Sequence, residues 1–172
     1  MQKVMIAVAL LALLAGPARA GEAAFTEGAI HIGVVVKDLD AAVAFYTDVI
    51  GMTKTGGFEV DAEFGQASGL TKGLPFSVTV LKLKDAPDAT QFKLMSFEKD
   101  AETPKSAYIE DALGMQYVTL MVDDLTPFVA RIKAAGVPFL GQTPVPLGDG
   151  GQHFVLVQDP DGTFIELIGP MK

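Results

Sequence analysis

Apolar and polar residues along the chain follow two different periods, and the switches between them mark the elements. Ile30 to Val36 and Tyr117 to Val122 are short, β-branched apolar runs and read as strands. Behind each stands an aspartate, Asp38 or Asp124, at the position of a helix N-cap. The helical patterns that follow span Ala41 to Ile50 and Pro127 to Ala135, with Pro127 suited to an early helical position. Gly51 and Gly136 close them. Phe76 to Leu83 and Gln91 to Phe97 read as strands around an Ala86 to Ala89 turn. His153 to Gln158 and Thr163 to Ile168 read as strands around Asp159-Pro-Asp-Gly162, a strong turn signal. The least marked strand of each half lies near Phe58 and near Phe139.

The two halves repeat one another. At one constant offset Val36, Asp38, Leu39, Val43 and Ala44 meet Val122, Asp124, Leu125, Val129 and Ala130. At a second offset Ala86-Pro-Asp-Ala-Thr-Gln-Phe-Lys-Leu-Met95 meets Asp159-Pro-Asp-Gly-Thr-Phe-Ile-Glu-Leu-Ile168. The change of offset is absorbed by Gly56 to Gly73, a glycine-rich insertion that reads as a mobile rim. The predicted fold is therefore α+β: two βαβββ modules, at about 29–98 and about 115–170, joined by a polar linker at about 99–114. Set side by side, they make a curved mixed sheet with helices outside and a concave, ligand-sized cavity.

Strand alternation sorts the faces. Ile32, Val34 and Val36 form one packing set, and Phe92 with Leu94, Val118 with Leu120 and Val122, and Ile165 with Leu167 form the others. His31, Lys93, Tyr117 and Glu166 then point away from the helices. They occupy two pairs of repeat-related positions and are expected to converge on the pseudo-twofold axis, with Lys93 and Glu166 forming an ion pair. Val35, Met95, Phe97 and Met121 supply apolar walls.

The first twenty residues change the picture of where this domain works. Lys3 opens a positive n-region, Val4 to Gly16 is an apolar run, and Ala18-Arg19-Ala20 is a cleavage pattern before Gly21. The run falls short of the roughly 20 apolar residues of a membrane span. Residues 1–20 are read as a cleaved signal peptide and 21–172 as a single domain, secreted and periplasmic, with no membrane anchor. Two of the 13 Lys and Arg residues, Lys3 and Arg19, leave with the leader, so 11 basic residues remain against 21 acidic ones. That balance argues against nucleic acid and anionic membranes as partners. There is no cysteine, which excludes thiolate chemistry and cysteine metal sites.

His31 to Met52, Asp124 to Gly136 and the ending Asp159-Pro-Asp-Gly-Thr-Phe-Ile-Glu-Leu167 resemble the vicinal-oxygen-chelate superfamily of glyoxalases, bleomycin-binding proteins and extradiol dioxygenases. The likeness covers nearly the whole chain after the leader. It implies a divalent ion on the pseudo-axis, held from the four positions just derived. His31 matches the first-strand ligand and Glu166 the final glutamate. Lys93 stands where glyoxalase I has a glutamate, and Tyr117 where it has a histidine. An ammonium about 4 Å from a dication, at an effective dielectric near 20, repels it by roughly 8 kcal/mol. Two donors alone make a weak site.

With a four-residue turn at Asp159 to Gly162, Val155 would pair with Glu166, and His153 would join His31 and Glu166 as a third donor. The reading that follows is a protein that binds a small, anionic organic molecule, with no cofactor and as a homodimer; Lys93 grips the anion and Tyr117 donates a hydrogen bond. The alternative is a lyase, isomerase or dioxygenase using Fe, Ni, Zn or Mn, with His31, Glu166 and His153 as ligands and Glu166 as general base.

Overall fold

A computed structural model describes residues 25–99, 101–102 and 106–172. The leader at 1–20 lies outside the described residues. Among those described, no helix is long and apolar enough to cross a membrane.

Module one runs β1 (Ile32–Val36), α1 (Leu39–Ala44), β2 (Thr53–Val60), α2 (Ala62–Ala67), β3 (Phe76–Lys82) and β4 (Gln91–Phe97). Module two runs β5 (Tyr117–Met121), α3 (Thr126–Ala134), β6 (Val145–Leu147), β7 (Gln152–Gln158) and β8 (Phe164–Pro170). Each module forms one four-stranded sheet, in the orders β1-β4-β3-β2 and β5-β8-β7-β6. In both, the first strand lies parallel to the last, and the other pairs are antiparallel. This is the expected α+β arrangement of two βαβββ modules. Among the described residues no strand pairing joins the sheets, so the surface they form is made of two four-stranded pieces.

Local chemistry sets the boundaries. The Asp38 carboxylate accepts from Ala41 N at 3.0 Å and starts α1, which continues as a π-helical turn over Phe45–Ile50. In module two Asp124 accepts from Thr126 N at 2.9 Å, one residue ahead of the cap position itself. That bond, with Lys172 nearby, holds the Asp124 carboxyl below its usual range. Gly51 and Gly136 end the two helical stretches in the left-handed region, at φ 91° and 69°.

The Gly56 to Gly73 insertion carries regular structure: β2 runs through it to Val60 and α2 follows, capped by the Asp61 carboxylate on Phe64 N at 2.7 Å. One expectation needs correction. The second strand of module two lies at Val145–Leu147 rather than near Phe139. Phe139 packs on the core instead, and the next residue, Leu140, donates its N–H to Leu156 O at 2.9 Å.

The strands bury the faces that their alternation predicts. Val36, Phe92, Leu94, Leu120, Ile165 and Leu167 are buried in one cluster shared by both modules. Tyr46 is buried in that core. Its hydroxyl crosses to module two and donates to Asp159 Oδ2 at 2.7 Å. Arg131 crosses the other way, donating to Val49 O at 2.9 Å and Ile50 O at 3.3 Å while lying over Phe128. The modules are therefore joined through their helix-bearing faces, and the opposite face of each sheet is left open.

Candidate functional site

The strand registers place the four candidate positions. Lys93 pairs with Gly33 on one side and Val80 on the other, and Glu166 pairs with Thr119 and Leu156. Lys93 and Glu166 thus hold equivalent places in their sheets, as do His31 and Tyr117, each one residue before Ile32 or Val118. Both sets lie on the open faces.

His31 is held by two bonds. Gln91 N–H donates to its Nδ1 at 3.1 Å, and Nε2 lies 2.9 Å from Glu27 Oε1. A bare Nδ1 means that Nε2 carries the proton given to Glu27, so the ring is neutral and this contact is a hydrogen bond rather than an ion pair. Glu166 Oε2 accepts from Thr119 Oγ1 at 2.5 Å. Tyr117 is 46 % exposed. Lys93 is half-buried, and among the described residues its ammonium makes no hydrogen bond or ion pair.

The expected Lys93–Glu166 ion pair does not form. No hydrogen bond or ion pair among the described residues links the module-one pair to the module-two pair. The physical reason is that the Glu166 carboxylate is engaged by Thr119 of its own sheet, while Lys93 belongs to the other sheet.

His153 is a second correction. Gln158 pairs with Phe164, so five residues rather than four connect β7 to β8, and Leu156 instead of Val155 faces Glu166. A shift of one residue turns every side chain over. His153 therefore shares the face of Val155 and Val157, pairs with Gly169, and has its Nδ1 buried without a hydrogen-bond partner among the described residues. The fifth turn residue is held by the Asp159 carboxylate, whose Oδ1 accepts from Asp161 N at 3.0 Å and Thr163 N at 2.8 Å. Beside it Asp161 is shifted up by burial, against the pull of its hydrogen bond from Lys37 N. Among the described residues no group of three or more His, Asp or Glu is placed to hold a metal ion.

Two partners in this region were missed by sequence reasoning. Thr119, between Tyr117 and Met121 in the alternation, falls on the open face, but its bond to Glu166 depends on the parallel register of β5 and β8. Glu27 lies ahead of the first periodic run and gave no signal beyond standing four residues before His31. Both line a cleft of about 910 Å³ between the modules, whose walls include Met52, Lys84, Met121 and Phe128 and which reaches neither Lys93 nor Glu166.

Comparison with known proteins decides the family. Residues 28–167 match the family model of the Glyoxalase/Bleomycin resistance protein/Dioxygenase superfamily. The chain belongs to that superfamily. A probable lactoylglutathione lyase of Vibrio cholerae is 31% identical over 139 residues, 81% of this chain and 88% of that protein. A glyoxalase family protein from Bacillus cereus has the same fold, with a TM-score of 0.72 and 19% identity over 90% of this chain and all of that one. A fosfomycin resistance protein from Listeria monocytogenes superimposes with a TM-score of 0.55 and 15% identity over 86% of this chain and 96% of that one. Members of the superfamily commonly use divalent metals, often form dimers and bind small molecules.

Proposed function

We propose that this superfamily member is an exported, periplasmic protein that holds a small anionic organic molecule against its open sheet faces without a resident metal. Lys93 is the anion anchor, Tyr117 a hydrogen-bond donor, and His31 and Glu166 are polar groups at the edges of the site. The observation that carries the reading is the Lys93 ammonium. It stands at a position where the superfamily's four-ligand set needs a donor atom, and it is left without a partner among the described residues. The other donors support the same reading. The one lone pair of the neutral His31 ring is turned to Gln91 N–H. Glu166 is engaged by Thr119, and His153 lies on the other face of its sheet. This set does not fit a divalent ion. A homodimer is part of the proposal, because a second copy would cover Tyr117 and Met121, which the open face of the second module leaves exposed.

A second reading is favoured by the name of the Vibrio cholerae relative. It is a lyase, isomerase or dioxygenase dependent on Fe, Ni, Zn or Mn, with His31 and Glu166 as ligands and Glu166 as base. His31 would then have to move its proton to Nδ1 and release Gln91 N–H. Elemental analysis of protein purified from the periplasm without a histidine tag separates the two. Far less than one metal ion per chain is expected, on a chain beginning at Gly21. One equivalent of a single metal would favour the second reading.

A further inference from the structure

The open face of the first sheet is built in rows. Gly33, Lys93, Val80 and Gly56 form one row across the four strands, and Val35, Met95, Val78 and Phe58 form the next. Beyond them Phe97, Phe76 and Val60 form a third, with the Phe76 and Phe97 rings stacked at 4.8 Å between centroids. Val60, Phe76 and Val78 are buried as a small apolar cluster of their own, separate from the main core, with Val80, Met95 and Phe97 packed on it. Toward Lys93 this cluster opens: Phe58 is 50 % exposed and Val35 is 43 % exposed.

The charges on this face are all of one sign. Among its strand positions Lys82 and Lys93 are the charged residues, and there is no aspartate or glutamate, in a chain where acidic residues outnumber basic ones. Lys82 is tied down, its Nζ donating to Ala86 O at 3.0 Å. Lys93 is not. Of its two neighbours in the row, Gly33 has the Met95 thioether lying over it and Val80 is followed by Gly56, above which the space is open, so the ammonium is approached from the Val80–Gly56 side.

We infer that this face is a shelf for an amphiphilic organic anion, with a carboxylate on Lys93 and an aromatic or branched apolar body lying over Val35, Met95 and Phe58. The inference rests on the anion-binding reading above and adds the ligand's class. Successive rows lie about 6.7 Å apart, two residues of strand rise. The apolar body therefore sits one row from the charge, which is the length of a phenylpropanoate rather than of a bare two- or three-carbon acid. The ammonium supplies a charge-assisted hydrogen bond, and the exposed part of the cluster supplies apolar area. A polar or multiply charged ligand would leave that area wet. A cationic ligand would meet Lys93.

Calorimetric titration of the full protein with 3-phenylpropanoate, its neutral amide and propanoate tests this. The acid is expected to bind at least roughly tenfold more tightly than either the amide or propanoate, since each lacks one of the two contributions. Lys93→Met should bring the acid down to the amide, Lys93→Arg should restore the preference, and Phe58→Ala should weaken acid and amide alike. Equal, Lys93-dependent binding of propanoate and 3-phenylpropanoate would overturn the shelf and leave the anion site standing. Binding of neither anion in a Lys93-dependent way would overturn both.

Discussion

At the scale of single residues, the Tyr46–Asp159 contact joins the modules. Burial, with the Asp159 and Asp161 charges beside it, pushes the Tyr46 hydroxyl far above its ordinary range. Tyr46→Phe leaves Asp159 Oδ2 without its donor and should cost about 1.5–3 kcal/mol, measured by urea unfolding near neutral pH. The sign of the pH dependence follows from the raised value. The folded state keeps the tyrosine proton where the unfolded chain has lost it. The contribution is thus whole below about pH 10 and is lost as pH rises beyond it. The gap between the natural protein and the variant should narrow between roughly pH 10 and 12; a gap that widens there would show that the hydroxyl is not held in this bond.

At the scale of elements, the β7–β8 hairpin shows what the sequence could and could not reveal. Alternation along β1, β4, β5 and β8 sorted Val34, Leu94, Leu120 and Leu167 to the core, because each run is long enough for the period of two to declare itself. The repeat likewise made the equivalence of Lys93 and Glu166 legible. The side of His153 was not legible. It depends on whether four or five residues span the turn, and that is decided by hydrogen bonds to one carboxylate, Asp159, rather than by any periodic pattern. The position of β6 was hidden for a related reason: three residues containing Pro146 carry no period at all. Gly169, which faces His153 across this hairpin, gives a sharp test of the packing. A Cβ there would collide with the backbone oxygen of Val122. Gly169→Ala should cost about 1–3 kcal/mol in thermal or urea unfolding, whereas Gly28→Ala, with open space around it, should stay within about 0.5 kcal/mol. Equal costs at the two sites would contradict the described course of β8 beside Val122.

At the scale of the whole molecule, the two modules have spent their helix-bearing faces on each other. What remains is one open face carrying Lys82 and Lys93 with no acid on its strands, and another carrying Glu166 with no base. Tyr117 and Met121, the latter 72 % exposed, are the apolar rim of the second. A second copy seated on this rim would cover it and leave the Lys93 face of each chain free for its ligand. Light scattering should therefore give twice the chain mass, and Met121→Asp should shift the protein toward the monomer. A monomer at every concentration would contradict the dimer, though not the Lys93 site.

The central claim is that Lys93 has turned a metal-binding framework into an anion-binding one. Calorimetric titration of nickel or zinc into the untagged protein, beside a variant carrying Lys93→Glu and Tyr117→His, tests it most directly. The account predicts no stoichiometric binding by the natural sequence and a clear gain of affinity in the double variant. Tight one-to-one binding by the natural protein, lost on His31→Ala, would contradict it.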